Sequence, residues 1–513
     1  MRTKASFYNL VTSIVGQTVN FLLTLVTRVA FIYFLSKEYL GISSLFTELL
    51  TVFSLAELGV GQALNFILYK PLAENDTEKV KSLMGLYKKA YQIIGLTVFL
   101  FGVGFMPFYQ AFLKEVPDIP RLNLIYFLYV LNTAVSYFYS YKRALIVTDQ
   151  KKYIDTLYHF VFGVGMCLAQ IAIIILTRNY IAFLIVQIVF TWLENFAVSK
   201  KAEKMYPLLV EKDVQPLDKK TLRYVTTNVK AMLMHRVGGV AVNSTDNLII
   251  TKMIGLGATA IYSNYLLIFN TIVAFINQFF SAILASVGNF NAEKEDPDEL
   301  AGIFYRVFFL NFWLYGFCCI CLYVLTNPFI KLLFGESYLF PEAVVSVLVL
   351  KIFLFGMRQT ATTFRNATGV YYYDRFKPVW EASINLVVSI VLAWKIGISG
   401  VFLGTIISTL LTGFWSEPLV VYRYVLRRSL WDYYKRYLLY AVCGCLNLLL
   451  VAGITSLVQG EGISIFVLKT IICLFLPNIV FVLFFWKTTE FQYYCGMIKK
   501  ALTWITTRQK KVE

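Results

Sequence analysis

Apolar residues in this chain gather into runs of bilayer-crossing length, separated by short polar breaks that carry most of the Lys and Arg. A hydrocarbon core roughly 30 Å thick needs about 20 apolar residues per helix. On that measure the spans fall at residues 10–33, 42–66, 86–110, 122–145, 154–177 and 180–199, and then, after a polar stretch, at 226–251, 259–286, 303–326, 341–364, 379–395, 398–421, 437–457 and 463–486. The expected fold is an all-α integral membrane protein with about fourteen transmembrane helices. Its segments are a first six-span lobe (1–200), a cytoplasmic linker (201–225), a second six-span lobe (226–430), and two further spans with a basic tail (431–513).

Composition agrees with lipid as the solvent: 58% of the 513 residues are hydrophobic and 15% charged. The net charge of +17 does not mark a nucleic-acid binder, because the basic residues are dispersed over alternate loops instead of gathered on one soluble face. Alternation of that kind reads as topology, with Lys and Arg held on the cytoplasmic side. An even number of spans then puts both termini in the cytoplasm. The densest basic clusters lie at 79–89, 200–223, 423–436 and 499–511, where they also meet anionic lipid. Arg2 and Lys4 precede the first run like the start of a signal peptide, but the run is too long for one and contains Arg28, so it reads as a span. The eight cysteines sit almost entirely in apolar runs without CxxC spacing, as buried thiols do.

The sequence repeats itself at an offset of about 220 residues. Ala73-Glu74-Asn75-Asp76, followed by Leu86-Tyr87-Lys88, returns as Ala292-Glu293-Lys294-Glu295, followed by Phe304-Tyr305-Arg306. Tyr141-Lys142-Arg143-Ala144 is echoed by Phe364-Arg365-Asn366-Ala367. Six spans per repeat keep both copies in one orientation, which is the arrangement of transporters that place substrate between two halves.

A charge at the bilayer centre costs roughly 2.5–3.5 kcal/mol on insertion scales, so ionisable residues inside spans mark cavities or partners. The first span carries Gln17, Asn20, Thr24 and Arg28 at helical spacing; the seventh carries Asn228, His235, Arg236, Asn243 and Asp246. Arg28 and Asp246 hold near-equivalent places with opposite charges, and a bridge between them would act as an outer gate. The second span adds Glu57, and the eighth adds Asn264, Asn270 and Asn277. In the tenth, Lys351, Arg358, Thr362 and Arg365 form a cationic stripe, and Arg offers a planar fork of donors that suits phosphate oxygens. The unmarked alternatives are packing through interhelical hydrogen bonds and snorkelling of long side chains to the headgroups. His235, Asp246 and Glu57 are candidates for proton coupling. No P-loop, metal-ligand cluster or cofactor motif is present, so an ATP-driven or enzymatic reading has nothing to rest on.

Tyr39-Leu40-Gly41, Leu45-Phe46, Ala56-Glu57-Leu58-Gly59-Val60-Gly61 and Leu68-Tyr69-Lys70-Pro71-Leu72-Ala73-Glu74 resemble the first half of the Wzx-type polysaccharide repeat-unit flippases of the multidrug/oligosaccharidyl-lipid/polysaccharide exporter superfamily. Thr245-Asp246-Asn247-Leu248-Ile249-Ile250, Gly255 and Tyr262-Ser263 resemble the pattern of the family's seventh helix. The resemblance implies movement of an undecaprenyl-pyrophosphate-linked oligosaccharide across a bacterial cytoplasmic membrane by alternating access, beside a polysaccharide polymerase and export machinery. It also matches Arg28 and Asp246 to charged cavity positions. Lipid II flippases of the same superfamily carry more basic residues in their first two helices than this chain, so a capsule, O-antigen or related sugar unit fits better. A multidrug or cation antiporter of the superfamily is the alternative, and a membrane polysaccharide polymerase a more distant one, since the outer loops near 111–121 and 327–340 are short.

Overall fold

The computed structural model describes residues 2–211, 214–219, 221–223, 225–226, 229, 244–293 and 296–509. Its long helices are α1 (Arg2–Phe34), α2 (Lys37–Phe53), α3 (Leu55–Ala73), α4 (Thr77–Phe105), α5 (Leu122–Thr148), α6 (Lys152–Thr177), α7 (Tyr180–Met205), α8 (Leu256–Glu293), α9 (Pro297–Phe334), α10 (Glu342–Met357), α11 (Gln359–Ala367), α12 (Lys377–Ile396), α13 (Ile398–Leu411), α14 (Gly413–Val421), α15 (Leu430–Ser456), α16 (Ile463–Phe485) and α17 (Thr489–Gln509). Among the described residues there is no strand. Among the described residues, eleven helical stretches are long and apolar enough to cross a membrane. The remaining three expected spans correspond to the interrupted pair α2 and α3, to α4, whose first turns hold Lys79, Lys81, Lys88 and Lys89, and to a seventh span that lies largely outside the described residues. The chain is a multi-pass, all-α membrane protein.

The helix ends follow from local chemistry. Asp76 accepts from Lys79 N at 3.0 Å to cap α4, and Asp296 caps α9 by accepting from Asp298 N at 2.9 Å, with Pro297 in the first turn. These two caps stand at equivalent places in the repeat. Asn179 caps α7 through Ile181 N, just after Arg178 in the left-handed region. Gly255, at φ +124°, ends the π-turn Ile250–Ile254 and lets the chain enter α8. At 38 residues, α8 and α9 are each about 57 Å long, well beyond a bilayer core.

Two compact units divide the chain: residues 1–267 with 389–401, and residues 268–388 with 402–513. The repeat halves read from the sequence meet near residue 226, earlier than this division. In the first unit α1 packs on α6 and α5 packs between α4 and α7. Its core includes Phe46, edge-on to Tyr109, Tyr126 and Tyr129. Gly41 allows α2 to approach the start of α8 so closely that a Cβ would overlap the Leu256 carbonyl. The second unit is held by aromatic layers, with Phe312 stacked on Tyr440 at 4.7 Å and Phe308 on Tyr433 at 4.9 Å. Lipid-facing surfaces are evident in exposed apolar rows such as Leu168 and Leu176 on α6 and Leu449, Phe475 and Leu483 on α15 and α16. All eight cysteines are unbridged.

Candidate functional sites in the two units

Helix α1 places Arg28 in a half-buried position, where Nη1 donates to Ser263 Oγ at 2.8 Å and to Asn264 Oδ1 at 3.1 Å, both on α8. The Tyr129 and Tyr180 hydroxyls, bonded to each other at 2.8 Å, stand nearby. Among the described residues no carboxylate lies within ion-pair distance of Arg28. The anticipated bridge to Asp246 is therefore not the contact that holds this guanidinium. Neutral oxygens satisfy part of its five-donor fork and leave its charge uncompensated.

Asp246 is 1% exposed, in a helical segment entering the π-turn. Its neighbour Asn247 donates Nδ2 to Glu48 Oε1 on α2 at 2.9 Å, and Glu48 also stands beside Ser244 and Asp246. Glu48 escaped the sequence reading, although it is an acidic residue inside a lipid-length run and carried the same signal as Glu57.

The break between α2 and α3 falls at Ser54, whose hydroxyl donates back to the Leu50 carbonyl at 2.7 Å and competes with the helical ladder. Glu57 follows in the first turn of α3, with Oε1 accepting from Tyr91 OH at 3.1 Å and Oε2 meeting Tyr137 OH at 3.5 Å. Gly61 leaves the space for that tyrosine, since a Cβ there would come within 2.5 Å of the Tyr91 hydroxyl oxygen. The carboxyl is thus held by neutral donors.

In the second unit, two interrupted helices surround a buried ion network. Asn311 Nδ2 donates to the carbonyls of Gly356 at 3.0 Å and Met357 at 3.3 Å, drawing them away from the helical ladder where α10 gives way to α11. Arg358 sits at that break and is 5% exposed. Its guanidinium grips Glu417 with two bonds, Nε to Oε2 at 3.1 Å and Nη2 to Oε1 at 2.9 Å, and reaches Glu381 with Nη1 at 2.8 Å. Lys377 bridges the same two carboxylates at 2.8 and 2.6 Å, and Arg365 pairs with Asp374 at 2.5 Å. The second break falls at Thr412, next to Gly413, where a Cβ would overlap the Arg358 guanidinium. Asp374 lies in the loop between α11 and α12; burial pushes its carboxyl above its ordinary value while Arg365 opposes the shift. Arg358, Arg365 and Lys377 against Glu381, Glu417 and Asp374 leave no net charge.

The cationic stripe expected on the tenth span is accordingly not a row of open charges. Arg358 and Arg365 are neutralised by carboxylates that the sequence reading did not weigh, while Lys351 has its ammonium 5.6 Å from the centre of the Phe402 ring. Of the other candidates, Gln17 is half-buried with Oε1 unpartnered, and Asn20, Asn270 and Asn277 are exposed on their helices. His235, Arg236 and Asn243 lie outside the described residues. Among the described residues no three His, Cys, Asp or Glu side chains gather as a metal-ligand group.

No family model and no curated protein matches this chain. Solved structures do. The inward closed conformation of the lipid II flippase MurJ is similar over 93% of this chain and 98% of its own, with a TM-score of 0.67 and 13% identity. An inward-facing multidrug resistance MATE family transporter of the MOP superfamily is similar over 79% and 94%, with a TM-score of 0.65 and 13% identity. A MOP superfamily transporter from Pyrococcus furiosus, described as having a binding pocket of reverse polarity, is similar over 83% and 97%, with a TM-score of 0.54 and 12% identity. At these identities the likeness establishes the fold, which is that of the MOP transporters.

Proposed function

We propose that this protein is a flippase that carries a polyprenyl-pyrophosphate-linked oligosaccharide repeat unit from the cytoplasmic to the outer leaflet by alternating access, for surface polysaccharide biosynthesis. The observation that carries this reading is Arg28, a guanidinium inside a lipid-length helix, held among the described residues by neutral oxygens from Ser263 and Asn264. A cation so placed can exchange those neutral partners for phosphate oxygens, because an ionised acceptor adds the attraction of opposite charges to the bond. The substrate's polar head needs such a group, and its polyprenyl tail needs only lipid. The MOP fold supports transport in place of catalysis. The basic loops favour a bacterial cytoplasmic membrane with both termini inside. A polymerase and export machinery would receive the product.

A second reading, a multidrug or cation antiporter, draws on the half-buried acidic groups of the first unit, Glu57 among tyrosines and Glu48 beside Asp246. Complementation separates the two. In cells lacking their own repeat-unit flippase, the wild-type chain restores surface polysaccharide and Arg28→Ala does not, at equal membrane abundance. Restoration by neither, with raised drug tolerance from the wild type, would support the antiporter.

A further inference from the structure

Away from the groups discussed above, α9, α15 and α17 of the second unit form a half-open cavity of about 260 Å³, with Tyr305, Arg306, Arg436, Glu490 and Tyr493 in its wall. Each arginine is laid flat on a ring: Arg306 Cζ lies 4.2 Å from the centre of Tyr493, and Arg436 Cζ lies 4.0 Å from the centre of Tyr305. Arg436 is also paired with Glu490 at 2.6 Å. Among the described residues no carboxylate is within ion-pair distance of Arg306, so the cavity keeps one net positive charge. Tyr494 ties α17 to this place by donating to the Arg306 carbonyl at 3.1 Å.

The cavity lies at the edge of the apolar zone. The span α16 ends at Phe485, and the exposed Trp486 and Lys487 follow it directly into α17, on which Met497 and Ile498 are exposed next to Lys499 and Lys500. Aromatic and basic side chains together at such an edge occupy headgroup level. Drug-sized ligands need clefts of roughly 300–1,000 Å³; this cavity is smaller and suits a headgroup fragment whose tails remain in the bilayer.

We propose that it binds the phosphate of an anionic membrane phospholipid, received by the fork of Arg306 with Arg436 as the second donor. The proposal does not depend on what the protein transports. Phosphate oxygens can accept from Arg306 while its face stays on Tyr493, and the Glu490 pair fixes Arg436 without cancelling the net charge.

The test is native mass spectrometry of the full chain in detergent with phosphatidylglycerol and phosphatidylcholine supplied equally. The wild type retains phosphatidylglycerol in roughly tenfold preference, because both headgroups offer a phosphate but the choline cation of phosphatidylcholine meets the net positive charge of the cavity. Arg306→Gln removes most of that preference and Lys500→Gln keeps it. Should Arg306→Gln fail to fold, Arg306→Lys keeps the charge but loses the planar fork, and the preference falls severalfold. Equal retention of the two lipids, or an unchanged preference in the Arg306 variant that folds, overturns the proposal. Displacement of phosphatidylglycerol by inorganic phosphate would make this a free-anion site, and preferred retention of undecaprenyl phosphate would assign it to the transported lipid; either result also overturns it.

Discussion

Two arginines inside lipid-length helices are treated in opposite ways. Arg358 is locked by Glu417 and Glu381, whereas the partners of Arg28 among the described residues are neutral oxygens. Removing one partner of a buried pair leaves an uncompensated charge and costs about 3–5 kcal/mol. Arg358→Ala is therefore expected to fail by instability, with a clear drop in Tm and membrane abundance, and Glu417→Gln to behave similarly but more mildly. Arg28→Ala loses transport at a smaller cost in Tm, since it breaks bonds to neutral partners and strands no buried charge. Thermal unfolding of the three purified variants checks the contrast; a stable Arg358→Ala with a specific transport defect would return Arg358 to substrate handling. The sequence revealed Arg358 and Arg365 of this network through their helical spacing, but not Lys377. It hid their pairing because Glu381 and Glu417 lie 23 and 59 residues further along the chain. Each was nonetheless visible as a lone acid in an apolar run, the same signal that identified Glu57.

At the scale of elements, the interruptions are the informative feature. Hydrophobic periodicity predicts continuous spans, and it anticipated neither the break at Ser54 nor those at Arg358 and Thr412. Each depends on a competing hydrogen bond or a close approach that a one-dimensional pattern does not encode. The break at Arg358 rests on Asn311, which is fully buried and donates to two carbonyls. Asn311→Ala should cost about 1–3 kcal/mol and loosen the α10/α11 junction, read as a lower Tm and faster amide exchange near residues 356–362. Unchanged exchange there would mean that another contact maintains the break. The helix α17 was also unforeseen: its mixed polar and apolar sequence reads as a basic tail, and it is helical over Thr489–Gln509. Conversely, the span boundaries from 122 to 199 and from 259 onward agreed with the helices to within several residues, because lipid tolerates few other arrangements of apolar runs.

For the whole molecule, the fold was legible from pattern alone, since the length of apolar runs and the distribution of charge constrain a membrane chain more tightly than identity does. Thirteen per cent identity accompanies a shared architecture with the lipid II flippase MurJ. Substrate chemistry is less legible, because sugars are recognised by scattered neutral side chains, whereas a pyrophosphate demands a cation that the protein has not already neutralised. Arg28 meets that demand among the candidates described. The most direct measurement is a leaflet assay in proteoliposomes containing an undecaprenyl-pyrophosphate-linked oligosaccharide, with a membrane-impermeant oxidant reporting the exposed sugar. Wild-type protein should expose it well above the rate of empty vesicles, and Arg28→Gln should lower that rate roughly tenfold to hundredfold, the loss of one charge-assisted bond. A wild-type rate equal to that of empty vesicles, or an Arg28→Gln rate equal to wild type, would contradict this account.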